Sequence, residues 1–156
     1  MNKKILIFLL VIVSVFSLFG CGKATKEVNV SVAEIAGKIK DEVEFSAMLE
    51  LKAEEIEEKY FINPDIIEES VVEIPLMNVK ADELAIIKVK DEKDIDKVNE
   101  GIKKRAESVQ KTFETYLPNQ YENAKNYTLK NEGKYILFII SDNNEKIESI
   151  FDGYFK

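Results

Sequence analysis

The 156-residue chain contains no histidine and no tryptophan, and its single cysteine is Cys21. The absence of histidine excludes a Ser-His-Asp triad and any metal site that uses an imidazole ligand. Because Cys21 is the only cysteine, the chain cannot form an internal disulfide bond, and no thiolate catalyst follows it. The sequence also lacks the patterns GxxxxGK[ST] and GxGxxG, so a phosphate-binding loop of either kind is not expected.

The first twenty residues have the order of a secretory signal peptide. Two lysines near the start precede an apolar run over residues 5–19, and the small residue Gly20 stands before Cys21. At about fifteen residues, this run is shorter than the roughly twenty that a helix needs to cross a bilayer. We therefore predict that residues 1–20 are a signal peptide, with the cleavage signal formed by Leu18, Phe19 and Gly20. The alternative is an uncleaved membrane anchor with an incidental cysteine.

The segment that ends at Cys21 resembles the bacterial lipobox, which has the order leucine, any residue, small residue, cysteine. Leu18 and Gly20 match this order, whereas Phe19 stands where a smaller residue is usual. The resemblance implies that Cys21 becomes the amino terminus and accepts a lipid through its sulfur, the nucleophilic form of which is the thiolate. We expect a palmitate-bearing lipoprotein, a tether over residues 21–28, and placement on the extracytoplasmic face of the cell membrane.

The chain after the signal peptide is acidic. Removal of residues 1–20, which contain two lysines and no acid, changes the formal net charge from -7 to -9. Such a charge disfavours nucleic acid as a partner, because binding to it depends on neutralising phosphates. It also disfavours direct adsorption to anionic lipid. The lipid on Cys21 is therefore the expected contact with the membrane.

Hydrophobic periodicity predicts one α+β domain over residues 29–156. Helices are expected at residues 32–43, 52–61, 94–117 and 144–155. Strands are expected at residues 70–74, 84–90, 127–130 and 134–141. This order indicates a sheet of about four mainly antiparallel strands with helices on one face. Two strand-strand-helix units would follow two N-terminal helices, either as a duplication or as two junctions with similar turn chemistry.

Short segments in this domain resemble a known family. They are residues 45–60, 81–86, 105–116 and 133–135. Through them, the chain after Lys38 is similar to a family of bacterial lipoproteins classified only as a domain of unknown function. The resemblance implies a lipid-anchored placement and brings no activity with it.

Few residues suggest enzymatic chemistry. A nucleophile activated by lysine could use Ser46, Ser108 or Ser141, and paired carboxylates could hydrolyse glycosides if they met in a cleft. The acidic turns at residues 91–96 and 142–145 lack the glycine of a calcium-binding EF-hand loop, so helix capping explains them better. The basic run at residues 103–105 is predicted to be the solvated face of the long helix.

The preferred function is a non-enzymatic binding or scaffolding module of the cell envelope. Such a module would present its sheet, or the loop that contains Met77, to a partner protein in the envelope. The alternatives are an envelope hydrolase that uses carboxylates or a Ser/Lys pair, and a receptor domain for a small ligand. No catalytic residue, metal ligand or cofactor-binding residue is assigned.

Overall fold

The computed structural model describes residues 28–156. Its helices are α1 (Val32–Glu42), α2 (Ala53–Tyr60), α3 (Ile95–Phe113), α4 (Pro118–Lys125) and α5 (Asn144–Gly153). Its strands are β1 (Met48–Glu50), β2 (Ile67–Pro75), β3 (Glu83–Val89), β4 (Thr128–Glu132) and β5 (Tyr135–Ile140). Short 3-10 helices cover Pro64–Ile66 and Glu92–Asp94.

The five strands form one antiparallel sheet in the order β1-β2-β3-β5-β4. The central pairing sets Ala85 opposite Phe138 and Ile86 opposite Leu137. The predicted α+β class and antiparallel sheet are confirmed. The fifth strand is β1, which was not predicted because three residues are too few to show an alternating pattern.

Helices cover both faces of the sheet, so the prediction of helices on one face was wrong. On one face, α2, α3 and α4 pack against alternate residues of the central strands, including Ala85, Ile87 and Phe138. On the other face, α1 and α5 pack against the residues in between, including Leu84 and Ile86. Because successive strand side chains point to opposite sides, β3 and β5 are buried along their whole length.

The charged residue Lys88 lies within the buried strand β3 and is only 6% exposed. Its ammonium donates to Glu68 Oε1 at 2.8 Å and to Asn29 Oδ1 at 3.1 Å, and lies 5.5 Å from the ring centre of Tyr135. The segment before α1, through Asn29, therefore helps to cover the end of β3.

The two strand-strand-helix units are not related by a rotation. The rotation that exchanges the antiparallel neighbours β3 and β5 has its two-fold axis perpendicular to the sheet. Such a rotation would place α3, which follows β3, and α5, which follows β5, on the same face. Instead, α3 packs on one face and α5 on the other. The units thus have opposite hand, which favours shared turn chemistry over duplication with conserved packing.

The chain enters the sheet at a defined place. The Tyr135 hydroxyl accepts a hydrogen bond from the N–H of Val30 at 3.1 Å and donates to its carbonyl oxygen at 2.8 Å. We call this end of the sheet, where β3 ends and β5 begins, the entry end. The opposite end, where β2 ends and β3 begins, is the loop end. The helix α1 then begins at Val32, and the hydroxyl of Ser31 caps it by accepting a hydrogen bond from the N–H of Ala33.

The helices α2 and α3 approach each other closely at Gly101. A Cβ atom at this position would lie 2.4 Å from the carbonyl oxygen of Tyr60 and 2.7 Å from Cγ1 of Ile62. Only a residue without a side chain allows the backbone of α2 to come this near. Further along, α3 ends at Phe113, and Pro118 begins α4, in which its fixed φ angle suits the first helical turn.

Candidate functional site

An apolar surface lies at the loop end. Its residues are large and exposed, with relative exposures of 63% for Leu76, 53% for Met77, 41% for Val79 and 46% for Leu49. Leu49 on β1 is paired with Ile74 on β2, and paired residues project from the same face of the sheet. Leu76 follows Ile74 by two positions and therefore shares this face. Grouped exposed apolar residues of this kind mark interaction sites more often than isolated ones do. We call these four residues the apolar loop surface.

The loop between β2 and β3 is held at both of its ends. At its start, the N–H of Leu76 donates to the carbonyl of Ala47 at 2.8 Å. At its other end, the N–H of Ala81 donates to Oε1 of Gln120 at 2.8 Å. Asp82 accepts a hydrogen bond from the Ser46 hydroxyl at 3.0 Å. The apolar side chains therefore project from an anchored loop.

A buried polar network lies beneath this loop. Glu83, the first residue of β3, is 1% exposed, and its carboxylate forms a bidentate ion pair with the Nε and Nη2 groups of Arg105 on α3. The hydroxyl of Tyr60 donates to Glu83 Oε2 at 2.6 Å, and the Arg105 guanidinium lies 5.5 Å from the Tyr60 ring centre. The network joins α2, α3 and β3 at the loop end.

The environment changes the acidity of this network. Burial raises the pKa of the Glu83 carboxyl, although Arg105 and Tyr60 oppose the rise by donating hydrogen bonds to the carboxylate. Burial and the neighbouring carboxylate raise the pKa of the Tyr60 phenol well above its ordinary value. Tyr60 therefore stays protonated and acts as a donor to Glu83, not as a general base.

Two surface depressions accompany these features. A cavity of about 170 Å³ lies above the ion pair and is lined by Glu83, Arg105, Lys80, Ile74 and Phe113, among others. A wider one, of about 460 Å³, lies between α1 and α5. Among the acids of the described chain, only Glu83 lines the first cavity, and Arg105 neutralises it. A pair of carboxylates suited to glycoside hydrolysis is therefore not assembled there.

Comparison with protein families identifies most of this domain. Residues 41–141 match the family described as Domain of unknown function (DUF4358). The chain belongs to this family. No curated protein and no solved structure matches it.

The DUF4358 match covers less than the packed unit. It includes the whole sheet and the helices α2, α3 and α4, which cover one face. Most of α1 and all of α5 lie outside residues 41–141, yet these two helices cover the other face. The buried residues Leu84, Ile86, Leu137 and Ile139 would be exposed without them. The folding unit of this DUF4358 protein therefore extends beyond the matched region on both sides.

The serines proposed as nucleophiles have other contacts. The Ser46 hydroxyl donates to Asp82, and the Ser141 hydroxyl accepts from the N–H of Asn143 at 3.1 Å. Ser108 contributes its backbone carbonyl to a bond with Thr112. Within residues 28–156, none of the three serine hydroxyls forms a hydrogen bond with a lysine amine.

The two acidic turns differ in how they cap helices. Asp91 accepts from the N–H of Lys93 and caps the short 3-10 helix, as predicted. At the second turn, the Ser141 hydroxyl accepts from the N–H of Asn143, and the N-cap residue Asn143 makes no side-chain cap, so the predicted capping by residues 142–145 was wrong. The described residues contain no group of three or more acidic or cysteine ligands placed to hold a metal ion.

One residue of the basic run is placed differently from the prediction. Lys103 and Lys104 are exposed, but the Arg105 side chain is 18% exposed and points to Glu83. The sequence contained a signal for this, because Arg105 lies three positions after Ile102 and four before Val109, beside the apolar stripe of α3. The buried Glu83 had no such signal, since a glutamate at the start of a strand is usually solvated.

The predicted lipidation and cleavage residues, Leu18, Phe19, Gly20 and Cys21, lie outside the described residues. Within residues 28–156, no helix is both long enough and apolar enough to span a membrane.

Proposed function

We propose that this DUF4358 protein is a lipoprotein held on the extracytoplasmic face of the cell membrane by Cys21, and that it is a non-enzymatic binding module for a partner protein of the envelope. The signal-like residues 1–20 and the lipobox resemblance support the anchor. The apolar loop surface supports the binding role. The distance of this surface from Val28, where the tether ends, is the observation on which the proposal mainly rests.

The apolar loop surface and Val28, the residue at which the tether ends, lie at opposite ends of the sheet. Val30 is bound to Tyr135 at the entry end, whereas Leu76 and Met77 follow the last residue of β2 at the loop end. The seven residues of β3 separate these ends by about 20 Å. A lipid on Cys21 would therefore be joined to the end of the domain remote from Met77. This arrangement favours a partner that approaches from the side away from the membrane.

Lipidation is tested by replacing Cys21 with serine. We expect the Cys21→Ser protein to incorporate no radiolabelled palmitate, because a hydroxyl does not replace the thiolate as lipid acceptor. Phe19→Ala is the matched control, and should retain full incorporation because a smaller residue suits the lipobox. Labelling of the Cys21→Ser protein at the wild-type level would disprove the anchor.

The binding role is tested by site-specific photocrosslinking in intact cells. A photoreactive residue at position 77 should form adducts with a discrete envelope protein, whereas the same residue at Asn131 on the entry side should not. A companion Leu76→Ser change should reduce the adducts at position 77 several-fold. Because Leu76 is 63% exposed, that change should alter the free energy of unfolding by less than about 0.5 kcal/mol. Adducts of equal yield from both positions, or adducts with lipid alone from position 77, would contradict the proposal.

A further inference from the structure

The edge strand β1 has one unpaired side. The N–H of Leu51 donates to the carbonyl of Val72, and the N–H of Leu76 donates to the carbonyl of Ala47. With Leu49 opposite Ile74, these bonds show that the odd-numbered residues of the strand face β2. In an antiparallel ladder, the residues between them point their backbone groups to the other side. Met48 and Glu50 therefore direct their N–H and C=O groups away from the sheet.

These outward groups have no partner in the described chain. Within residues 28–156, no hydrogen bond joins the outward backbone groups of Met48 or Glu50 to another residue. Because β1 is the first strand of the sheet, it has a neighbouring strand, β2, on one side only. An edge with free donors and acceptors can accept another extended chain by backbone pairing.

The negative charge of the protein is concentrated around this edge. Residues 41–60, which include β1, contain eight carboxylates and two lysines, so this stretch has a formal charge of -6 out of -7 for the whole chain. Glu50 is exposed on the strand itself, and Asp41, Glu42 and Glu44 are exposed at the end of α1 and in the segment that leads into the strand. Of the eight carboxylates, only Glu42 is in an ion pair among the described residues, with Lys38 at 4.0 Å.

This charge distribution distinguishes between possible occupants of the edge. A second copy of the chain would bring two such stretches together, and like charges across an interface oppose association. A basic segment would instead meet complementary charge. Exposed Leu49 and the neighbouring Leu76 offer apolar contact on one face of the added strand. The edge therefore fits an extended segment in which apolar and basic residues alternate.

We propose that β1 binds an extended, basic segment of the partner protein as an additional strand, through the backbone groups of Met48 and Glu50. This inference rests on the proposed binding function and identifies the chemistry of the partner. Alternation is required because successive side chains of a strand face opposite sides. Apolar side chains would contact Leu49, and lysine or arginine side chains would lie near the carboxylates that flank the strand.

The test uses the full-length protein in detergent micelles and a capped peptide of alternating valine and lysine. Binding should slow hydrogen exchange at the amides of Met48 and Glu50, while the inward amides of the ladder change little. The affinity should fall as salt is added, because exposed charges contribute to it. A capped peptide of alternating valine and glutamate should not bind. Equal binding of both peptides would overturn the proposal.

Substitutions separate backbone pairing from charge. Glu50→Pro removes one outward N–H without removing a bond to β2, and should weaken peptide binding by about tenfold. Glu50→Gln is the matched control for charge and should change binding by no more than about threefold. Glu50 lies on the face of the sheet that α1 covers, because its partner Glu73 pairs with Lys40 of α1. Reversal of charge near the end of α1 by Asp41→Lys and Glu44→Lys leaves β1 intact and should weaken binding more than tenfold at low salt, an order of magnitude typical of like-charge contacts.

The outcomes distinguish this inference from the proposed function. If the valine-lysine peptide does not bind, or binds Glu50→Pro as it binds Glu50→Gln, the inference fails even when crosslinks from position 77 persist. If the peptide binds as expected but those crosslinks are absent from intact cells, the proposed function fails instead. A concentration-dependent dimer that protects the amides of Met48 and Glu50 without any peptide would assign the edge to a second copy and overturn the inference.

Discussion

Arg105→Leu is expected to lower the free energy of unfolding by about 3 kcal/mol, which corresponds to a decrease in Tm of roughly 10 °C for a domain of this size. The substitution leaves the carboxylate of Glu83, 1% exposed, without its bidentate partner. A buried charge that loses its counterion costs more than the ion pair itself contributes. Thermal and urea unfolding followed by circular dichroism measure the change.

Two further variants show whether the buried charge causes this loss. The combined variant Tyr60→Phe, Glu83→Leu, Arg105→Leu removes the charges and the phenol hydroxyl together, and should recover most of the lost stability. Disruption of the exposed pair between Glu122 and Lys125 by Lys125→Met should cost less than about 0.5 kcal/mol. If Arg105→Leu is no more harmful than Lys125→Met, the network is not a structural element.

Gly101→Ala is expected to lower the free energy of unfolding by about 3 kcal/mol, although alanine is normally the better helix former. The new Cβ would lie 2.4 Å from the carbonyl oxygen of Tyr60, so α2 and α3 would have to separate. Overpacking of this kind costs roughly 1–3 kcal/mol or more, and exceeds the gain of about 1 kcal/mol in helix propensity.

Gly37→Ala is the matched control for this substitution. Gly37 is also inside a helix, α1, but a Cβ there would meet no atom within 4 Å. Only the propensity gain remains, so the variant should be more stable than wild type by about 0.5–1 kcal/mol. The opposite signs of the two changes, measured by urea unfolding, test the contact directly. Stabilisation by both substitutions would show that α2 and α3 are not held together at Gly101.

Much of the fold could be predicted because its elements have strong local patterns. The apolar stripe of α3 recurs at steps of three and four, and the six buried residues of β5 have no polar interruption. The helix α4 was missed, because the helix predicted over residues 94–117 ended before Pro118 and no further helix was predicted after it. In the structure Pro118 is the first residue of the next helix. Proline stops a helix and starts one by the same restriction of φ, so the pattern alone does not decide between them.

The site was less predictable because it depends on contacts between distant residues. The loop containing Met77 was identified as a surface for display, and the structure describes it as exposed. The ion pair between Glu83 and Arg105 joins residues 22 positions apart, and no local pattern connects them. The open edge of β1 likewise depends on which strands pair. The ion pair and the open edge both depend on which elements become neighbours in the fold, and hydrophobic periodicity predicts the elements but not their neighbours.

The path of the chain from tether to edge strand determines how the domain would respond to tension. A partner bound at β1 and a lipid on Cys21 would pull on opposite ends of α1, since this helix is the covalent link between them. Near its start, the N–H of Val32 and the hydroxyl of Ser31 donate to Glu69, and further along Lys40 pairs with Glu73. Both acids lie on β2, so a pull would act along the helix axis and load these bonds and the apolar contacts together. α1 would then bear force in shear, and its bonds to β2 would pass part of that force into the sheet.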